Sequence, residues 1–183
     1  GHVLAFRDAF LVDCGAWNPV GVAIAYNTAV HLPGPYRIEN FAAAARIVAT
    51  NKVPNAPYRG AGRPEAAFAM ERSLDLIAQT LGLEPTEVRR RNMIHPQELP
   101  YATGLPYRDG EPIVYDSGDF PGAMDKALQA IGGLAMFRQR QREARRLGRC
   151  LGLGVASYVE GTGVGPFESA LVRIESNGSI TVS

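Results

Sequence analysis

The strongest constraint on the fold lies between Pro64 and Gly82, where Ala66, Met70, Leu74, Ile77 and Leu81 recur at i, i+4, i+8, i+11 and i+15. That spacing is one face of an α-helix. Pro64 and Glu65 suit a first helical turn, because proline has no amide to lose there and a carboxylate opposes the positive end of the helix dipole, and Gly82 supplies the stop. An apolar stripe of this kind must be covered by something. At 183 residues, 46% apolar and 20% charged, the chain is long enough for one well-buried domain or two small lobes.

Around this helix the pattern alternates between strand-like and helical runs. Val3 to Val12 reads as a strand ending in a turn at Asp13-Cys14-Gly15, and Pro19 to Val30 as a short buried helix with Pro19 at its start and a stop at His31-Leu32-Pro33. Ala43 to Val53 is expected as a strand, because the Ile-Val-Ala-Thr centre and the following prolines outweigh its alanines. A further helix runs from Pro85 to a break at His95-Pro96, and 97–117 is expected as a long irregular connection. A helix from about Asp119 puts Phe120, Met124, Ala127, Leu128 and Ile131 on one face, ends at Gly132-Gly133, and forms a helical hairpin with an arginine-rich partner over Leu134 to Leu147. Cys150 to Val159 reads as a strand, Gly161 to Pro166 as a loop, and Ala170 to Glu175 as a strand joined by Asn177-Gly178 to Ser179–Ser183. The fold class is α+β. Both ends of the chain are strand-like with no closing cap, so it reads as part of a larger protein.

Composition excludes several functions. The net charge of +1 implies no field that would steer a polyanion, and no apolar run reaches the ~20 residues that span a bilayer. Without a secretory pattern at the start, a cytoplasmic location is expected. Cys14 and Cys150 are too far apart to frame a metal site and are expected to be buried thiols. His2, His31 and His95 neighbour neither a cysteine nor each other, so core or surface roles outrank metal ligation.

The segment that carries chemistry is Tyr58-Arg59-Gly60-Ala61-Gly62-Arg63, flanked by prolines and leading straight into the strongest helix. Small side chains let a backbone approach a bulky ligand, and amides at a helix start favour an anion. The same residues also suit a plain tight turn. No Lys-Ser/Thr pair follows, which disfavours a nucleotide-cradling loop.

The run Asn51 to Ala66, followed by Glu87-Val88-Arg89-Arg90-Arg91-Asn92-Met93-Ile94, resembles the molybdenum-binding large subunit of the xanthine dehydrogenase, aldehyde oxidase and carbon monoxide dehydrogenase type of hydroxylase. Further pieces fall in the family's order: Asp13-Cys14-Gly15-Ala16 before, Gly34 to Asn40 between, and Tyr158-Val159-Glu160-Gly161-Thr162-Gly163 with the closing hairpin after. The resemblance covers nearly the whole chain and implies an incomplete molybdopterin-binding region, 1–116 forming a first lobe with the active-site loop at 57–64 and 117–183 the start of a second.

It also implies function. Tyr58, Arg59, Gly60, Ala61 and Gly62 would lie against molybdenum–molybdopterin, expected as the cytosine dinucleotide, with iron–sulfur and FAD partner subunits and the remainder of the large subunit completing an oxidoreductase for an aldehyde or N-heteroaromatic substrate. Ala61, Glu160, Gly161 and Asn27 fall at substrate-pocket positions. Copper-dependent carbon monoxide oxidisers carry a cysteine where this chain has Gly60, and other members a substrate-stacking phenylalanine where it has Ala61. Purine oxidisers carry an arginine near Asn27, so neither carbon monoxide nor a purine is implied. The family's glutamate base resembles sequence outside this segment, and no catalytic residue is assigned in it.

Two readings compete: a non-catalytic binding module of the same ancestry, and nucleic-acid binding through Arg138, Arg140, Arg142, Arg145, Arg146 and Arg149. The arginine stretch has no interleaved aromatic beyond Phe137, which fits a solvated helix face better. Gly152-Leu153-Gly154 imitates a dinucleotide fingerprint, but no helical pattern follows, and close strand packing is the better expectation.

Overall fold

The computed structural model describes residues 1–17, 20–107, 110–161 and 169–183. Strand β1 (Ala5–Asp13) and strand β2 (Asn40–Val48) pair in parallel, and helix α1 (Val22–His31) makes the crossover that parallel pairing demands. Pro19, the expected helix start, lies outside the described residues. Ladder pairing extends β2 back to Asn40, three residues before the expected strand start, and ends it at Val48.

Asp13 fixes the end of this sheet. Its carboxylate accepts from the Gly15 amide at 3.0 Å and the Thr50 hydroxyl at 2.7 Å and pairs with Lys52 at 2.9 Å, while its carbonyl accepts from Asn55. Hydrogen bonding from Lys52, then from Thr50 and Gly15, lowers its pKa to about 2. Gly15 has φ +75 and a Cβ there would come within 2.6 Å of the Val53 carbonyl, so only glycine permits this return of the chain. The result is that residues 53–58 leave the sheet in a fixed direction.

Helix α2 (Arg63–Leu81) buries Ala66, Met70, Leu74 and Ala78, with Ile77 partly buried. Leu81 departs from the expected stripe and is 53% exposed. Gly82 adopts the left-handed region and Leu83 donates back to the Ala78 carbonyl, so the chain reverses and Leu83 covers the helix end instead. Helix α3 (Pro85–Asn92) packs beside it, and the segment after α1 closes over both through Arg37 to Asn92 and Ile94 to Pro35 backbone bonds.

At the centre lies a buried polar network. Arg89 is fully buried and its Nε donates to Glu71 at 2.7 Å, its guanidinium also reaching the Glu71 carbonyl, Asp75 and the Pro85 carbonyl. The Tyr36 hydroxyl donates to the other Glu71 oxygen at 2.5 Å. Burial, then the charge of Glu71, pushes the Tyr36 phenol well above its ordinary range. Burial alone would lower Arg89, but Glu71, Tyr36 and Asp75 together outweigh it and raise it.

Residues 97–117 are not the irregular connection expected. After a short 3-10 turn at Pro96–Glu98 they form an antiparallel pair, strand β3 (Tyr101–Pro106) with strand β4 (Pro112–Tyr115). Pro106 and Pro112 face each other at the ladder's end, and the Tyr101 and Tyr115 rings meet across it at 6.4 Å with a 30° tilt, so prolines that look like breakers mark strand ends. Tyr26 of α1 donates to the Pro106 carbonyl and Tyr115 to that of Gly34, docking the pair on α1 and on the segment that follows it. Burial raises the Tyr115 phenol to about 12.

Helix α4 (Phe120–Ala130), capped by Asp119, buries only Met124 fully. Ala127 of the expected face is exposed, and Asp125 pairs with Arg90 of α3. Helix α5 (Leu134–Arg146) follows, and its Arg138 pairs with Glu84 at the start of α3. Residues 150–160 form no strand, since none of the described residues pairs with them. A Cβ on Gly152 or Gly154 would meet nothing within 4 Å, so close strand packing does not explain these glycines. Cys150 is exposed where a buried thiol was expected, and Cys14 is buried. The 161–166 loop lies mostly outside the described residues. Strands β5 (Val172–Ile174) and β6 (Ile180–Val182) form the expected hairpin across Asn177-Gly178, with Val172, Ile174, Ile180 and Val182 all exposed. No helix among the described residues is long and apolar enough to cross a membrane.

Truncating Arg89 to Met strands the Glu71 carboxylate in the core, and a loss of about 3–5 kcal/mol is expected in chemical denaturation. In the same assay at alkaline pH, the contribution of Tyr36 is complete below its ordinary pKa of 10.0 and declines as pH rises past it, because the unfolded phenol ionises first. Tyr36→Phe should flatten that decline, and an unchanged slope would contradict the network.

Candidate functional site

The Tyr58–Arg63 segment is a tight turn whose geometry is set from beneath by α1. Ala61 donates to the Tyr58 carbonyl at 2.7 Å and Arg63 to that of Gly60 at 3.1 Å. Gly60, Ala61 and Gly62 all have positive φ, at 105, 46 and 100. Asn27 of α1, buried to 3% exposure, donates through Nδ2 to the Ala61 carbonyl at 2.8 Å, and the Thr28 hydroxyl lies between the Ile24 carbonyl at 2.8 Å and that of Gly62 at 3.1 Å. The Asn27 Oδ1 is buried without a partner among the described residues.

The small residues serve this packing as well as any ligand. A Cβ on Gly62 would stand 2.3 Å from the Ile24 carbonyl and 2.9 Å from the Thr28 amide, so α1 and the turn touch backbone to backbone. A Cβ on Gly60 would meet the Pro64 ring at 2.7 Å. Bulk at Gly60 therefore tests the turn itself before it tests any bound group. The Gly60 and Gly62 amides have no acceptor among the described residues, and α2 begins at Gly62 without a side-chain cap. Such left-handed turns at a helix start present donors to an anion.

Arg63 joins the turn to the rest of the site. Its Nε–H donates to His31 Nε2 at 3.2 Å, its Nη2 to the Tyr107 hydroxyl at 3.1 Å and its Nη1 to the Gly60 carbonyl at 3.4 Å. For His31 Nε2 to accept, the ring proton must sit on Nδ1, which lies 2.8 Å from the Asn27 carbonyl and donates to it. Glu160 Oε1 stands 3.1 Å from Arg63 Nε as an ion pair.

Two clefts meet at this pair. The larger, of about 960 Å³, runs from Arg59 and Gly60 along Phe68 to Val155, Tyr158 and Glu160. The smaller, of about 490 Å³, is bordered by His31, Tyr107 and Tyr115 and shares Arg63, Glu160 and Gly161. Of the residues singled out in the sequence, Arg59, Gly60, Glu160 and Gly161 line a cleft, and Tyr58 is 89% exposed beside it. Asn27, Ala61 and Gly62 lie on the α1 side of the turn, where Asn27 acts through the Ala61 carbonyl. His31 and Tyr107 are site residues that sequence reasoning passed over, and Arg63, which closes the segment singled out in the sequence, was given no role of its own. Only Arg63 had a signal, a cation at the junction of a glycine turn and a helix.

A family model for the molybdopterin cofactor-binding domain matches residues 1–93. The chain belongs to that family. This molybdopterin-binding chain is 36% identical over 186 residues to the gamma subunit of the 6-hydroxypseudooxynicotine dehydrogenase complex of Paenarthrobacter nicotinovorans, which covers 100% of the chain and 23% of that relative. It is similar to the solved structure of quinoline 2-oxidoreductase from Pseudomonas putida 86, with TM-score 0.73 and 32% identity over 98% of this chain and 24% of that one. A Cu,Mo-CO dehydrogenase gives TM-score 0.74 and 30% identity over the same shares, 98% and 24%. The molybdopterin-binding chain thus spans about a quarter of the length of these relatives.

The packing of α1 under the turn gives a direct test. Gly62→Ala is expected to cost at least about 1–3 kcal/mol from backbone strain, plus displacement of α1. Gly82→Ala, with φ +65 and nothing within 4 Å of the added Cβ, should cost only about 1–2 kcal/mol. Equal losses in thermal or chemical denaturation would rule out the backbone contact.

Proposed function

We propose that the full-length protein is a molybdenum-dependent oxidoreductase that hydroxylates an aldehyde or N-heteroaromatic substrate with oxygen drawn from water. In this reading the described chain supplies the loop side of the cofactor pocket and one wall of the substrate cleft. The observation that carries it is the turn at 58–63: three successive left-handed residues run into an uncapped helix, leaving the Gly60 and Gly62 amides available as donors. Those donors suit a bulky anionic group such as a molybdopterin.

Tyr58, Arg59, Gly60, Ala61 and Gly62 would hold that group, chiefly by main chain. When bound, the molybdenum–molybdopterin centre supplies the redox chemistry that takes electrons from the substrate. Glu160 and Gly161 would border the substrate, with Ala61 beside it and Asn27 supporting Ala61 from below. The cleft carboxylates are already committed, Glu71 to Arg89 and Tyr36, Asp75 to Arg89, and Glu160 to Arg63, so the proton-accepting base is expected elsewhere in the large subunit. Gly60 offers no sulfur to a copper ion of the kind the Cu,Mo-CO dehydrogenase is named for. The relatives' names, which include quinoline and nicotine oxidising enzymes, support an N-heteroaromatic substrate.

The cytosine dinucleotide form of the pterin, partner iron–sulfur and FAD subunits, a cytoplasmic location and the division of the chain near residue 117 belong to the same proposal. The full-length protein purified with its partners should carry about one molybdenum and one pterin per large subunit. Turnover in ¹⁸O-labelled water should label the product. A preparation free of molybdenum, or a product labelled from dioxygen instead, would overturn the reading.

A further inference from the structure

Charge in the larger cleft is arranged in matched pairs with one cation left over. Its walls carry three carboxylates, Glu71, Asp75 and Glu160, and three guanidiniums, Arg59, Arg63 and Arg72. Arg89 stands behind Glu71 and Asp75 at 2.7 and 2.9 Å, Arg72 lies 3.6 Å from Asp75, and Arg63 lies 3.1 Å from Glu160. Four guanidiniums thus face three carboxylates. Arg59 has no ion-pair partner among the described residues.

The Arg63–Glu160 pair differs from the others in having one fixed and one adjustable member. The Arg63 side chain is 15% exposed, and its donors are directed to His31, Tyr107 and Gly60. His31 is itself held through Nδ1 to the Asn27 carbonyl, so the guanidinium cannot swing away without breaking several bonds. Glu160, by contrast, is 46% exposed and meets Arg63 without a hydrogen bond of good geometry. A ligand in either cleft meets Glu160 with a positive charge already placed against it.

We propose that Arg63 is a specificity determinant: by neutralising Glu160 on the wall between the two clefts, it makes the site reject cationic ligands and admit flat neutral or anionic ones. This rests on the reading of the cleft as the substrate site, and deepens it. Exposed Phe68 and Tyr158, 73% and 68% accessible, offer aromatic surface for a flat body on the same cleft. The leftover charge of Arg59 would favour an anionic substituent.

The test uses the full-length protein with its partner subunits and three probes of one shape and different charge: benzoate, benzamide and the benzamidinium cation. Dissociation constants are measured by calorimetry for wild type, Arg63→Gln, Arg63→Lys, Glu160→Gln and the double variant, and molybdenum, pterin and thermal midpoint are recorded for every preparation. Wild type should prefer benzoate and benzamide to benzamidinium. Arg63→Gln should shift the benzamidinium-to-benzamide ratio about tenfold toward the cation. Arg63→Lys should keep the wild-type ratio, and adding Glu160→Gln to Arg63→Gln should remove the shift. Should Arg63→Gln fail to fold, Glu160→Gln alone bares the Arg63 charge and should shift the ratio toward benzoate by about the same factor.

A wild-type preference for benzamidinium, an unmoved ratio in a folded Arg63→Gln or Glu160→Gln, or failure of all three probes to bind would overturn the proposal. The ratio is a binding measurement and does not need turnover. Loss of molybdenum from the wild-type preparation would therefore overturn the proposed redox function while leaving the charge selectivity of the cleft to be judged on its own.

Discussion

A buried arginine and the carboxylate it neutralises hold this structure together. Arg89 of α3 and Glu71 of α2 are both removed from water, and each would be costly to bury alone. Together with the Tyr36 hydroxyl they fix three segments against one another: α2, α3 and the chain leaving α1. The geometry admits little slack, because Arg89 also reaches Asp75 and two main-chain carbonyls, at Glu71 and Pro85. An apolar core would hold α2 in place, but it would not fix the helix's rotation so narrowly. The ion pair selects one register, and that register puts Arg63 and the turn before it at the mouth of the clefts.

The turn at 58–63 is accordingly held from two sides. From the sheet end, Asp13 gathers Gly15, Thr50 and Lys52 and sends the chain toward the site. From below, Asn27 of α1 donates to the Ala61 carbonyl and the Thr28 hydroxyl lies 3.1 Å from that of Gly62, so both oxygens face α1. A loop that is to receive an anion through its backbone, as proposed for this one, has to point its carbonyls somewhere else, and α1 provides donors for them. Glycine at 62 is then a requirement of helix-to-turn contact as much as of ligand approach.

Much of the fold was legible in the residues because its signals are local. The α2 stripe, the Gly82 stop, Pro85 at the start of α3, the Gly132-Gly133 break and the Asn177-Gly178 hairpin each depend on conformational preferences within a few positions. The misses are of another kind. Prolines at 106 and 112 read as breakers although they close a ladder, and 150–159 reads as a strand although a strand exists only through its partner. Leu81 fits the helical period but stays exposed, because the chain turns back and Leu83 packs against the core in its place.

The site divides the same way. Sequence by itself determined the position of the glycine turn, its place at a helix start and its likeness to a molybdopterin-binding loop, since those reside in contiguous residues. Tertiary structure alone decided which side of that turn faces α1, that His31 and Tyr107 join Arg63, and that Glu160 meets a guanidinium. These partners are separated by 32 to 97 positions of chain from the groups they act on. The charge of a carboxylate can be read from its residue type, but its effect on a ligand depends on the charge folded against it.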